Sequence, residues 1–230
     1  MQTQTKTSAA PWLRDDVAYI LPMAVFMVFT AVGGQWPSLF VFSYIAKTIL
    51  VAGMLPFLWR YYTKISWKFW WLGIIAGILG VVQWVGMEKG IVHFWPNYPP
   101  YGHREAFDPF AAIASPSLRV VFLIVRLLGP VLVVPFMEER FWRDFLWRTL
   151  LAPNDFKLAA IGEWEAWPFW IVVIFFASVH IQWMTAIIWG IGIGFLLVKT
   201  RSLGACIVMH AVTNLLLGVY VLVWHDWAFW

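Results

Sequence analysis

The chain has 230 residues, 62% of them hydrophobic, 19% aromatic and 12% charged, with a formal net charge of +4 and a mean hydropathy of +0.74. That balance excludes an ordinary soluble domain, and the modest excess of basic residues, gathered beside apolar runs, points to membrane orientation and anionic lipid rather than to nucleic acid. A lone cysteine, Cys206, excludes an internal disulfide and a cysteine metal cluster.

Apolar windows of about 20 residues recur along the sequence, each long enough to cross a hydrocarbon core of roughly 30 Å. Backbone polar groups must satisfy one another in lipid, so the expected fold is all-α, a polytopic transmembrane helical bundle. A polar N-terminal segment, residues 1–16, has no small-residue cleavage site behind it at signal-peptide spacing, so the first apolar run is taken as a span. About seven spans are expected, with eight possible: Val17 to Val32, Leu39 to Leu58, Phe69 to Met87, Val120 to Met137 continuing towards Leu150, Pro168 to Ile181, Trp183 to Val198, and Leu203 to Val223. Two polar stretches interrupt them, one after Met87 that is rich in Pro and aromatics and one from Ala152 to Ala166. The chain divides into residues 1–16, residues 17–117 with three spans and a connecting extramembrane loop, and a core of residues 118–230. Eighteen tryptophans gather near the ends of the apolar windows and read as interfacial anchors.

Short-loop charges set the expected orientation. With the N-terminus inside, Lys6, Arg14, Arg60, Lys64, Lys68, Arg140, Arg143, Arg148, Lys157, Lys199 and Arg201 are cytoplasmic, against Lys89, Arg104 and Arg119 on the other side. The expected location is a multi-pass integral protein of a bacterial inner (cell) membrane with a cytoplasmic N-terminus. Lys47 and Arg126 fall within spans, where internal pairing or snorkelling is the plain reading.

Ionisable and polar groups inside a bundle are costly and form three sets here. In "EERFWR", Glu139 and Arg143 share a helix face and can pair, leaving Glu138 about 100° round the helix. In "FASVH", Phe176 and His180 stand at i and i+4, as do His210 and Asn214 in "HAVTN". Each has a bland alternative: a charged helix end, a satisfied interior histidine, a polar clasp between helices. Depth favours a shared site. At 1.5 Å per residue, Glu138 lies roughly 18 Å, His180 roughly 20 Å, His210 roughly 12 Å and Asn214 roughly 18 Å from the same membrane face. A buried carboxylate beside an imidazole can hold and deprotonate a water, and a second imidazole with an amide can donate to a developing oxyanion. Glu138, His180 and His210 could equally ligate zinc with one position open for water.

These motifs, in this order, resemble the CPBP family (CAAX protease and bacteriocin-processing, or Abi), polytopic membrane proteases that include the type II CAAX prenyl endopeptidases. The family pattern is EExxxR, FxxxH, then HxxxN or HxxxD, and chance co-occurrence in this composition is on the order of 10⁻⁴, with EExxxR contributing most. The likeness covers roughly Leu118 to Val223 and includes the approach "LVKTRSLGACIVMHAVTN". It implies Glu138 as the general base helped by His180, an oxyanion site of His210 and Asn214, and support from Glu139, Arg143 and Phe176. It also favours a glutamic mechanism without cofactor over a zinc-dependent one. The implied partners are a membrane protein or lipidated peptide substrate and the bilayer. A narrower resemblance, to CAAX-protease-related proteins accompanying exosortase and PEP-CTERM systems, rests on "FDPFAAI". The competing function is a non-proteolytic membrane immunity or scaffold protein of the same fold. A proton-coupled transporter ranks behind both, because paired interrupted helices and repeated halves are missing from the sequence.

Overall fold

Each of the seven apolar segments forms a helix in the computed structural model, which describes residues 15–98 and 106–230. Lys6, Arg14 and Arg104, counted above for orientation, and all but the end of the polar N-terminal segment lie outside the described residues. The helices are α1 (Asp15–Gln35), α2 (Phe40–Phe57), α3 (Trp70–Phe94), the single turn α4 (Pro109–Ala112), α5 (Pro116–Leu151), α6 (Ala166–Ser178), α7 (Trp183–Thr200) and α8 (Leu203–Trp224). No strand occurs among the described residues. Six of these helices are long and apolar enough to span a bilayer, so this is a multi-pass integral membrane protein. Side chains such as Phe42, Phe57, Leu79 and Val82, each at least 64% exposed, form the outward apolar surface that lipid covers.

The helix starts follow local chemistry. Asp108 accepts from the backbone N–H groups of Phe110 and Ala111 ahead of α4, Ser115 from that of Leu118 ahead of α5, and Ser202 from that of Ala205 ahead of α8. Pro109 and Pro116 stand at first-turn positions, where a missing N–H costs nothing. Arg201 adopts a left-handed backbone (φ 49°) that ends α7 and lets α8 begin at once. This reversal is tied to the chain before α3: Ser202 Oγ donates to the Ser66 carbonyl at 2.7 Å, and Gly204 N donates to the same oxygen at 3.0 Å.

The sequence ends the third span at Met87; in the structure α3 continues to Phe94 and keeps Glu88 and Lys89 helical. Both charges have partners there, Glu88 with the Thr185 hydroxyl at 2.7 Å and Lys89 with Asp226 at 3.4 Å, which is why the helix can carry them. α3 packs along α8 through Gly73, Gly77 and Gly80; a Cβ at Gly77 would lie 2.7 Å from Val212 Cβ and 2.8 Å from the Met209 carbonyl. Lys47 is buried in α2, donating to Thr30 Oγ1 at 2.9 Å and lying over the rings of Phe26 and Tyr44, while Arg126 lies 4.4 Å from the Tyr44 ring centroid. Internal pairing accounts for both.

α5 is the central element. Its 36 residues include two π-helical stretches, Gly129–Val133 and Arg140–Leu146. The first has a covalent cause. Val134 N donates five residues back to the Gly129 carbonyl, and Pro135 has no N–H, so the helix supplies no donor from either position to the Pro130 carbonyl. Asn214 of α8 fills the gap, donating from Nδ2 to Pro130 O at 2.7 Å.

α6 differs from the other apolar helices. Its 13 residues reach roughly 20 Å, short of a full crossing. The chain turns at residues 179–182 beside Trp84, ten residues before α3 ends, and α7 runs back to the end from which α6 came. The largest apolar core fills the space between α5, α6, α7 and α8, with Met137, Trp142, Trp147, Phe169, Phe176 and Trp189 among its buried side chains.

Candidate active site

α5 presents almost every residue from Met137 to Asp144 to the protein interior: Glu138, Glu139, Arg140, Arg143 and Asp144 are each at most 6% exposed. A surface helix would turn half of these outward; this stretch of α5 is enclosed, and its charges must be satisfied within the bundle. They separate into two groups.

Glu139 and Arg143 pair as their spacing implies, with Arg143 Nη1 donating to Glu139 Oε1 at 3.2 Å. The same oxygen accepts from His210 Nδ1 at 2.8 Å, a contact across the bundle from α8 to α5. An Nδ1–H committed to a carboxylate fixes the orientation of the His210 ring. The Arg143 guanidinium lies over the Phe176 ring at 4.6 Å, and Trp189 packs edge-on to His210 at 5.0 Å.

Glu138, on the same turn of α5, is buried, and among the described residues neither its Oε2 nor that of Glu139 has a hydrogen-bond partner. The rings of Phe176 and Trp189 link Arg143, His180 and His210, and Glu138 lies within electrostatic range of the His180 imidazole, so the four groups share one region. His180 sits just past the end of α6. Its backbone N–H bonds to the Ala177 carbonyl, and its Nδ1 lies 2.7 Å from the Phe176 carbonyl. A carbonyl only accepts, so Nδ1 carries the proton and Nε2 of the neutral ring holds a free lone pair. The FxxxH spacing therefore has a structural meaning: the histidine caps an orphan carbonyl of its own helix end, and Phe176 holds the ring at a centroid distance of 4.4 Å.

Asn214 is partly buried one turn beyond His210, with one of its two N–H groups on Pro130 and the other uncommitted to that bond. The motif residues Glu138, Glu139, Arg143, Phe176, His180 and His210 thus converge, while Asn214 reaches the same part of α5 one π-turn away. Among the described residues, no three His, Cys, Asp or Glu side chains are placed to hold one metal ion. The set Glu138, His180 and His210 is included in that statement.

Arg140 and Asp144, which match no motif position, belong to a second buried network. Asp144 pairs with Arg148, lies 3.8 Å from Arg140 Nη1 and accepts from the Tyr19 hydroxyl at 3.1 Å. Arg148 also donates to the Ala159 and Lys157 carbonyls and to Thr63 Oγ1. This network joins α1, α5 and two loops at one end of the bundle. The i, i+4, i+8 spacing of Arg140, Asp144 and Arg148 was its sequence signal. Of the tryptophans expected to be anchors, Trp84, Trp142, Trp147 and Trp189 are at most 8% exposed and wall the interior instead. Their burial follows from helix contacts that the position of a residue along an apolar window does not reveal.

No match to the chain emerges from the curated proteins, nor from the solved structures. Residues 120–216, which run from the first turns of α5 into α8 and contain all seven motif residues, match the family described as Rce1-like, type II CAAX prenyl endopeptidase.

Proposed function

We propose that this protein is an intramembrane endopeptidase that hydrolyses a peptide bond of a membrane-embedded or membrane-anchored protein, with Glu138 as general base. The observation that carries this reading is a Glu138 carboxylate that accepts no hydrogen bond from the described residues, in the same region as an imidazole whose Nδ1 is engaged by the Phe176 carbonyl. The match over residues 120–216 supports the reaction class.

In the proposed reaction a water held between Glu138 and His180 Nε2 gives its proton to Glu138 as its oxygen attacks the scissile carbonyl. The carbonyl oxygen becomes negative within reach of His210, whose ring is oriented by Glu139, and of the second N–H of Asn214. Protonated Glu138 then delivers its proton to the amide nitrogen as the C–N bond breaks. Arg143 holds Glu139 in place and does not touch substrate. Water activation here needs no metal; zinc on Glu138, His180 and His210 is the alternative chemistry.

The test is cleavage by purified protein in vesicles, using a single-span reporter whose products are sequenced. Glu138→Gln and His180→Ala should each lower turnover by about 10²- to 10⁴-fold, the range of general acid–base catalysis. Near-normal turnover in either variant overturns the assignment, and a wild-type protein that cuts no membrane substrate favours a scaffold or immunity role.

A further inference from the structure

One buried carboxylate lies outside the segment just described. Glu88, near the outer third of α3, is 7% exposed and takes no part in the proposed chemistry. Its Oε2 accepts from the Thr185 hydroxyl at 2.7 Å, and Thr185, in the first turn of α7, is fully buried. Two neighbours fasten the same turn. Gln83 Nε2 donates to the Thr185 carbonyl at 3.2 Å, and the Tyr98 hydroxyl, also buried, accepts from the Met184 backbone N–H at 3.1 Å. One helical turn before Glu88, Trp84 sets its ring edge-on to His180 at 5.8 Å and to Trp189 at 6.3 Å. α3 therefore grips the start of α7 with Glu88 and the ring of His180 with Trp84.

The connection between them is short. Residues 179–182 are all that separate α6 from α7, and they carry His180. With so short a link, the start of α7 determines where the imidazole stands. A buried carboxylate is costly in a membrane helix unless its position returns something, and here it sits at the amino end of an 18-residue helix, where negative charge is favoured.

We infer that Glu88 is a positioning residue for His180: through Thr185 it fixes the first turn of α7, and through that turn the orientation that keeps His180 Nδ1 on the Phe176 carbonyl and Nε2 free for water. The inference rests on the role given to His180 in the proposed reaction, but its structural half can be measured without substrate. It also assigns a function in the site to the first three spans, which contain none of the matched motifs.

The experiment uses the full chain labelled with ¹⁵N-histidine in detergent micelles, with the His180 ring signals identified by their loss in His180→Ala. Wild-type protein should show the proton on Nδ1. Glu88→Gln keeps an acceptor oxygen for Thr185 and should retain that pattern and the wild-type melting temperature. Glu88→Ala and Thr185→Val should each shift the two ring nitrogens towards averaged values, and the double variant should go no further than either alone. In the cleavage assay, Glu88→Ala should lower kcat by on the order of tenfold or more with KM within about twofold, the signature of a misplaced catalytic group, and Glu88→Gln should restore it. An unchanged His180 pattern in both Glu88→Ala and Thr185→Val overturns the inference. A shifted pattern together with full turnover in His180→Ala keeps the Glu88 link and removes the catalytic role of His180, so the two failures are distinguishable.

Discussion

Glu138 and Glu139 are chemically identical neighbours, each buried with an Oε2 that has no partner among the described residues, and they differ at the other oxygen. Glu139 is fully buried and shares one oxygen between Arg143 and His210, so removing it leaves a buried guanidinium without its carboxylate. Glu139→Ala should therefore destabilise the fold by about 3–5 kcal/mol, the cost of breaking a buried pair from one side, read as a lowered unfolding midpoint in detergent. Glu138→Gln keeps the side-chain volume and removes no partner from Oε2, so its midpoint should stay at the wild-type value while turnover falls. Stability and activity thus separate between two adjacent positions. The pairing of Glu139 with Arg143 was legible in the i, i+4 spacing. Its second partner, His210, was not, because the two are 71 residues apart and only the bundle brings them together.

At the scale of the helix, α5 and α8 are joined by two polar contacts, His210 to Glu139 and Asn214 to Pro130. Asn214→Ala strands the Pro130 carbonyl in a water-poor interior, and the expected loss is about 1–3 kcal/mol, measured by thermal unfolding alongside turnover. The α3–α8 seam has no room for even one added carbon at Gly77. Gly77→Val should separate the two helices and lower the unfolding midpoint, with Gly53→Ala as the control because nothing lies within 4 Å of a Cβ there. The apolar windows predicted all seven helices, since length and hydropathy are local properties. They did not predict that α6 ends inside the bundle, because Ala177 to Ile181 is apolar enough to continue and the turn is fixed by contacts with Trp84 and Phe176. The π-helical stretches were likewise hidden, although the five-residue spacing of Pro130 and Pro135 marks where the first had to form.

Across the whole molecule, the charge asymmetry remains the guide to orientation. The Asp144 network, Lys157 and the Ser66–Ser202 tie lie at one end of the bundle, while Lys89, Asp226 and Tyr98 lie at the other. Reporter fusions should place the loop containing Lys157 in the cytoplasm and the segment before α5 outside; the reverse result would refute the cytoplasmic N-terminus. For metal-free water activation, dialysis against a chelator should leave turnover within about twofold and purified protein should contain no stoichiometric zinc, since a catalytic zinc removed from its ligands takes the activated water with it.

The proline at position 135 has a consequence that extends along the rest of α5. A π-turn inserts one residue without advancing the helix by a full step, so everything after it is rotated by about 100° relative to a regular helix. Pro135→Ala restores the missing donor and permits the strand of peptide units to rewind by one register. After such a slip Glu138 would stand near the azimuth now held by Glu139, and Glu139 with Arg143, still four residues apart, would turn together away from His210. Two adjacent glutamates make α5 a phase-sensitive ruler: a single imino acid, three residues before the first of them and four before the second, decides which of the two acids faces His210.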